Sequence, residues 1–277
     1  MTATVRPLLR SRTMRIVVVA ASVTVVSASI GLLILGWIAD RDALPIGLDL
    51  IGYRRGFERF LATGSPYEPF QLGGSFIPKH LDFIHPPSFL PLVGPFTILP
   101  TPIDWLAWVG VPLAIWLALL RRMAWWAYPV AALLAVHDST VITVLNGNSS
   151  LWFSAAFGWS LLVGWPAGLI AIKPSLAPLA IPGFVKAPRR FIALAVLPIV
   201  VTLPFLVAWT DFVTVLRNSQ GLGPLYSLVQ WPVFLLLALP WLTTRGVDLV
   251  RRRGWLAPDQ GATSTGSTSR SDSPFQR

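Results

Sequence analysis

The segment ADRDALPIGLDLIGYRRGFERFLATGSPYEPFQLGGSFIPKHLDFIHPP (residues 39–87) is the only long polar interruption between the apolar stretches of this 277-residue chain. It contains six of the twelve acidic residues: Asp40, Asp42, Asp49, Glu58, Glu68 and Asp82. This concentration of acids indicates that chemistry or recognition takes place in the segment. The apolar remainder is then predicted to be the scaffold that holds it.

The composition predicts an all-α, polytopic integral membrane protein. The chain is 54% hydrophobic and only 12% charged, and its mean hydropathy of +0.64 is far above that of a soluble domain. The net charge of +10 does not indicate a nucleic-acid partner, because the Arg and Lys residues cluster between apolar runs, where they set topology and contact anionic membrane lipid. The absence of Cys and the scatter of three His residues argue against a metal site, and no cofactor is expected.

The first apolar run, residues 16–38, follows an Arg-rich amino terminus and is long enough to cross about 30 Å of hydrocarbon. We expect a retained helix with the amino terminus in the cytoplasm and residues 39–87 outside the plasma membrane. The later apolar runs bring the count to about eight transmembrane helices in a membrane domain of residues 1–255, which returns the carboxyl terminus to the cytoplasm. Residues 256–277 are rich in Ser, Thr and Gly and are predicted to be a disordered cytoplasmic tail.

Within the outer loop, apolar side chains recur at spacings of three and four: Leu50, Tyr53, Phe57, Phe60 and Leu61. The pattern predicts a short amphipathic helix on the membrane surface, with Asp49 capping its start and Gly64 ending it.

Three later spans, residues 125–145, 166–184 and 191–209, determine where the remaining polar residues lie. Simple crossings put Asn146 and Asn148 near the cytoplasmic face, away from Asp49, where they are predicted to be structural unless residues 137–150 form a broken or re-entrant segment; His137 and Asp138 interrupt the hydropathy of the span 125–145. Residues 210–225 are predicted to form a second polar loop.

Several motifs resemble those of glycosyltransferase family 87, whose members are polytopic enzymes of the GT-C superfamily. In the outer loop they are Asp49-Leu-Ile-Gly-Tyr53, Gly64-Ser-Pro-Tyr67 and His85-Pro86-Pro87, the last opening a helix that ends near Leu99-Pro100. Downstream, Asn146-Gly147-Asn148-Ser149-Ser150 is similar to the family's Gly-Gln-x-Asn element, and Ile172-Lys173-Pro174 is similar to its intramembrane Lys-Pro element. The resemblance covers residues 16–190 and identifies a short member. His85, Asn148 and Ser150 stand where Tyr, Gln and Asn are usual.

The resemblance implies transfer of mannose, or a related sugar, from a polyprenyl phosphate to a glycolipid or cell-envelope glycan at the outer membrane face. It implies Asp49 as the general base that takes the acceptor's proton, a role compatible with capping a helix. It also implies that Tyr53 and Tyr67 bind substrate.

Three basic residues are predicted to bind the donor phosphate. Lys173 lies inside an apolar run, where an ionisable group usually faces a cavity or a partner; the alternative is a lysine that reaches the membrane interface. His85 has a purely structural alternative at a helix start, and Arg217 qualifies only if it lies outside the membrane.

Two other classes of protein remain open at this point. One is a small transporter or lipid flippase in which Lys173, His137 and Asp138 line a path, although the two halves show no inverted repeat. The other is a non-catalytic membrane subunit with the same fold, and a short chain is also consistent with a partner subunit.

Overall fold

A computed structural model describes residues 12–39, 46–79, 81–125, 127–220 and 231–252. These residues form an all-α structure without a β-strand; one isolated bridge joins Phe76 to Ser219. The predicted tail, residues 256–277, lies outside the described residues. The α-helices are α1 Arg12–Ala39, α2 Leu48–Thr63, α3 Pro69–Gly73, α4 Leu90–Thr97, α5 Ile103–Leu120, α6 Ala127–Ala135, α7 Asp138–Asn146, α8 Ser150–Val163, α9 Gly168–Ala171, α10 Ala177–Lys186, α11 Pro188–Thr202, α12 Leu206–Asn218 and α13 Trp231–Arg252.

Among the described residues, two helices are long and apolar enough to cross a membrane: α1, over Arg12–Leu32, and α5. Two bent pairs would raise the number to four if each pair is one span. The helices α6 and α7 meet at 64°, and α11 and α12 meet at 106°. The eight crossings predicted from hydropathy are therefore not confirmed.

Proline and polar residues divide the predicted spans into short helices. The run 166–184 is divided into α9, the 3-10 turn Pro174–Leu176 and most of α10. The helix breaks at Lys173, whose backbone is extended, with φ −103° and ψ 101°. The run after Phe83 likewise yields a 3-10 turn and the eight-residue α4. A hydropathy reading counts apolar residues and does not detect such breaks.

The predicted amphipathic helix is confirmed as α2, and its apolar face packs inside the protein. Leu50, Tyr53 and Phe60 are buried on one face, whereas Leu61 is exposed. Gly64 ends the helix in the left-handed region, with φ +80° and its N–H donating to the Phe60 carbonyl. The predicted cap is wrong: the helix begins after Gly47 without a side-chain cap, and Asp49 lies in its first turn.

The helix α8 lies at the centre of the fold and packs against α5, α10 and α13. Its Leu151, Phe153 and Ser154 are fully buried, and the Ser154 hydroxyl donates to the Val233 carbonyl of α13 at 2.5 Å. Because α8 begins directly after the Asn146–Ser149 turn, this packing also fixes the position of that turn.

Candidate functional site

Asp49 and Asn148, 99 residues apart in sequence, meet in a partly buried hydrogen bond. Asn148 Nδ2 donates to Asp49 Oδ2 at 2.6 Å, and Asn148 Oδ1 accepts from the Ser150 N–H at 2.9 Å. The second bond orients the amide so that its NH₂ group points to the carboxylate. The simple crossing that puts Asn148 away from Asp49 is therefore wrong, and the alternative of a broken segment agrees with the structure, because the apolar run bends by 64° between α6 and α7.

Three hydrogen bonds hold the turn that carries Asn148. The Gly47 N–H and the Trp105 indole N–H donate to the Leu145 carbonyl at 2.7 and 3.1 Å, and the Trp108 indole donates to the Gly147 carbonyl at 2.7 Å. Gly147 has φ +64°, a conformation that favours glycine. A Cβ there would lie 3.3 Å from Leu50 Cβ, so space and conformation both select glycine.

Tyr53 and His85 extend the cluster from Asp49. The Tyr53 hydroxyl accepts from the Ser149 N–H at 3.2 Å, and Ser149 Oγ lies 3.4 Å from His85 Nε2. The imidazole stacks on Phe89, with ring centroids 4.2 Å apart. Burial, together with the positive charge of Lys173, lowers the pKa of His85 well below its ordinary value. His85 is thus a neutral hydrogen-bonding group at neutral pH.

The backbone around His85 is held by two side chains from residues 67–71. The Tyr67 hydroxyl donates to the His85 carbonyl at 2.7 Å, and Gln71 Nε2 donates to the Phe83 carbonyl at 3.1 Å. Burial raises the pKa of Tyr67 well above its ordinary value, so the hydroxyl keeps its proton and remains a donor. Gly52 allows α2 to pack closely against the loop at Leu81, because a Cβ at position 52 would lie 2.8 Å from the Leu81 carbonyl oxygen.

Lys173 joins the cluster from the break between α9 and Pro174. Its side chain is only 6% exposed, and Nζ lies 5.7 Å from the centroid of the Phe153 ring. Its charge interacts with both the Asp49 carboxylate and the His85 imidazole. A carboxylate, an ammonium group and a neutral imidazole from three distant segments therefore share one buried site.

Two predicted site residues have other positions. Arg217 is exposed near the end of α12, and among the described residues it has no hydrogen bond or ion pair to the cluster. The first part of the predicted polar loop, residues 210–218, is helical, and residues 221–225 of that loop lie outside the described residues. Tyr67, predicted to bind substrate, uses its hydroxyl to hold the His85 carbonyl.

Sequence reasoning assigned no role to Asp104, which is as buried as Asp49, at 7% exposure. Its carboxylate accepts from the Trp105 N–H and lies 3.4 Å from Arg54 Nη1. The signal that could have identified it is an acid in the first turn of an apolar helix, opposite the Arg-rich face of α2.

Among the residues described, no group of three His, Asp or Glu could hold a metal ion. The arrangement can instead accept a proton at Asp49 and attract an anion at Lys173. Comparisons of the chain with models of protein families, with curated proteins and with solved structures find no match.

Proposed function

We propose that this chain is a membrane glycosyltransferase that moves a sugar from a polyprenyl-phosphate donor to a glycolipid or cell-envelope glycan at the outer membrane face. The proposal places the chain in the plasma membrane with cytoplasmic termini, and it takes mannose as the sugar from the family resemblance. The observation that carries the proposal is the meeting of Asp49, His85 and Lys173 in one buried cluster, because these three residues come from three separate motifs of that resemblance.

The chemistry needs a base for the acceptor and a cation for the leaving phosphate. In the proposed step Asp49 takes the proton from the acceptor hydroxyl as that oxygen attacks the anomeric carbon. The bond from this carbon to the phosphate oxygen breaks, and the polyprenyl phosphate leaves with the bonding electrons. Lys173 balances the negative charge that remains on the phosphate.

The neighbouring groups would have positioning roles. Asn148 donates to one carboxylate oxygen of Asp49 and so fixes the direction in which the other carboxylate oxygen points. His85 is neutral and stacked on Phe89, so its contribution to the phosphate would be a hydrogen bond from the imidazole and not a charge. Tyr53 remains a candidate substrate contact, whereas Arg217 is not part of the proposed step.

Sugar transfer in membranes that contain this chain tests the proposal, with radiolabelled polyprenyl-phosphate mannose as the donor. Asp49→Asn should lower transfer at least roughly 100-fold, the usual contribution of a positioned general base. Lys173→Met should lower it by a similar factor, the usual contribution of a group that stabilises charge in the transition state. The matched control is Asp104→Asn, which removes an equally buried carboxylate outside the cluster and should retain most of the activity.

Equal incorporation by the parent and by Asp49→Asn would refute the role of Asp49 as the base. If none of the proteins, including the parent, incorporates label from any mannose, glucose or arabinose donor, the proposal of a transferase is refuted. Protein amount and thermal unfolding of each variant are measured in the same membranes, so that loss of folding is separated from loss of chemistry.

A further inference from the structure

The helix α12, which takes no direct part in the proposed step, is bonded to residues 65–76 at its middle and at its end. The Ser65 hydroxyl donates to Asp211 Oδ2 at 2.5 Å. Farther along the helix, Asn218 Nδ2 donates to the Gln71 carbonyl at 2.8 Å. These pairs are 146 and 147 residues apart in sequence, so the contacts depend on the tertiary fold and not on local folding preferences.

A ring contact and backbone hydrogen bonds extend this attachment. Phe212 stacks on Tyr67, with ring centroids 6.3 Å apart and an interplanar angle of 23°, and both rings are buried. Beyond the end of α12, backbone hydrogen bonds of 3.0 and 2.8 Å join Phe76 to residues 218 and 220. The attachment therefore runs from the middle of α12 past its end.

Tyr67 and Gln71 connect α12 to the backbone around His85. The Tyr67 hydroxyl donates to the His85 carbonyl. The Gln71 side chain donates to the Phe83 carbonyl, while its own carbonyl accepts from α12. Tyr67 and Gln71 are only 1% and 0% exposed. A displacement of residues 65–71 from α12 would therefore reach His85 through two buried side chains.

Asp211 has a second effect, on the Tyr67 hydroxyl itself. Its negative charge adds to burial in raising the pKa of Tyr67, so the hydroxyl keeps the proton that it donates to the His85 carbonyl. An Asn at position 211 would keep an oxygen that can accept the Ser65 hydroxyl but would lose this charge. Substitutions at position 211 can therefore separate the hydrogen bond from the charge.

We propose that Asp211 and Asn218 are positioning residues that hold His85 at the donor-phosphate end of the Asp49 cluster. They act through residues 65–71. The inference rests on the proposed function, in which His85 supplies a hydrogen bond to the phosphate. Asp49 is held separately, by an amide side chain of the turn before α8. Loss of the α12 contacts should therefore move His85 and leave the Asp49 carboxylate in place.

The first test reads the position of His85 without any activity. The chain has only three histidines, so the ring nitrogens of His85 can be assigned in ¹⁵N-histidine-labelled protein in detergent by comparison with His85→Phe. Asp211→Ala and Ser65→Ala should shift these resonances in the same direction, and the two together should shift them no further, because each change breaks the same hydrogen bond. Asn218→Ala should shift them as well.

Two matched variants separate this role from general support of the fold. Asp211→Asn keeps the acceptor for Ser65 and should restore most of the parent spectrum. Thr214→Val is the control on the same helix, because the Thr214 hydroxyl donates to the Thr210 carbonyl and not to residues 65–76. It should leave the His85 resonances unchanged. Denaturant titration of each variant identifies any that does not fold.

The second test measures transfer from the radiolabelled donor. Asp211→Ala and Asn218→Ala should each raise the KM for the donor about fivefold, the value of one hydrogen bond, and lower kcat less than about twofold. In a His85→Phe background neither change should raise the KM further, because the group that they position is already absent.

Unchanged His85 resonances in both Asp211→Ala and Asn218→Ala would overturn the proposal. So would a KM increase that adds in full to that of His85→Phe, since α12 would then support the site by another route. If the parent transfers no sugar, the proposed function fails by itself, and the His85 spectra alone decide whether α12 positions this side chain.

Discussion

Buried polar side chains are paired around Asp49 but unpaired at Trp116 of α5 and Thr140 of α7, two residues on the wall of one apolar cavity. In the Asp49 cluster, Asn148 bonds Asp49 and the Tyr67 hydroxyl bonds the His85 carbonyl. The indole N–H of Trp116 and the hydroxyl of Thr140 are buried and find no acceptor among the described residues. The first region is preorganised for a fixed geometry, whereas the second carries the free-energy cost of two buried, unpaired donors.

This difference predicts opposite results when a polar group is removed. Deleting one member of a buried pair leaves its partner unsatisfied, which costs the desolvation of that partner. Deleting a buried polar group that has no partner removes the free-energy cost of burying it. Stability measurements on substitutions of matched size can therefore separate the two regions.

The largest effect is expected for Lys173→Met, which keeps the length of the side chain and removes its charge. The Asp49 carboxylate would then be buried without the positive charge that interacts with it, and the free energy of unfolding should fall by about 3 kcal/mol. Denaturant titration of the purified protein in detergent measures the change. The double variant Asp49→Asn/Lys173→Met should recover part of the loss, because neither charge remains.

Lys186→Met is the control for Lys173→Met. Lys186 is exposed at the end of α10, where its ammonium group donates to the Leu161 and Leu162 carbonyls. Its loss should cost less than about 1 kcal/mol, as is usual at exposed positions. If both lysines cost the same amount, the charge of Lys173 is not balancing Asp49.

A smaller effect is expected for Tyr67→Phe. The change leaves the ring in place but removes the donor to the His85 carbonyl, so the free energy of unfolding should fall by about 1 kcal/mol. The control is Tyr128→Phe on the cavity wall, a half-buried residue whose change should stay within about 0.5 kcal/mol. An unchanged stability of Tyr67→Phe would show that the hydroxyl does not hold the loop.

Local signals in the sequence were enough to predict α2 and its end. The spacing of Leu50, Tyr53 and Phe60 predicts one apolar face, and these residues are buried on one face of Leu48–Thr63. Gly64 then ends the helix as predicted, because a left-handed residue is easily accommodated only by glycine. The number of membrane crossings was not predictable in the same way, since the helix breaks at Lys173 and between α6 and α7 depend on backbone geometry.

The site residues also divide into those that the local sequence identifies and those whose position depends on the fold. Asp49, His85 and Lys173 could be selected from sequence, because a carboxylate, an imidazole and an ammonium group stand out in an apolar chain. Asn148 was assigned a structural role far from Asp49 on the assumption of a simple crossing. The polar pair His137 and Asp138 indicates a possible break in the run, but it does not specify the 64° bend that brings Asn148 to Asp49. Arg217 was assigned to a polar loop, but the apolar positions Phe212 and Val215 pack inward and continue α12 past it.

The smallest effect, and the sharpest contrast, is expected for Thr140→Val. Valine matches the shape of threonine, so the substitution deletes an unpaired hydroxyl with little change in packing, and the protein should be unchanged or stabilised by up to about 1 kcal/mol. Thr143→Val in the same helix is the control: Thr143 is equally buried, but its hydroxyl donates to the Ser139 carbonyl at 2.7 Å, so its loss should cost about 0.5 kcal/mol. Denaturant titration of the two purified variants in detergent measures the difference. Equal losses of stability for Thr140→Val and Thr143→Val would mean that the Thr140 hydroxyl has a partner.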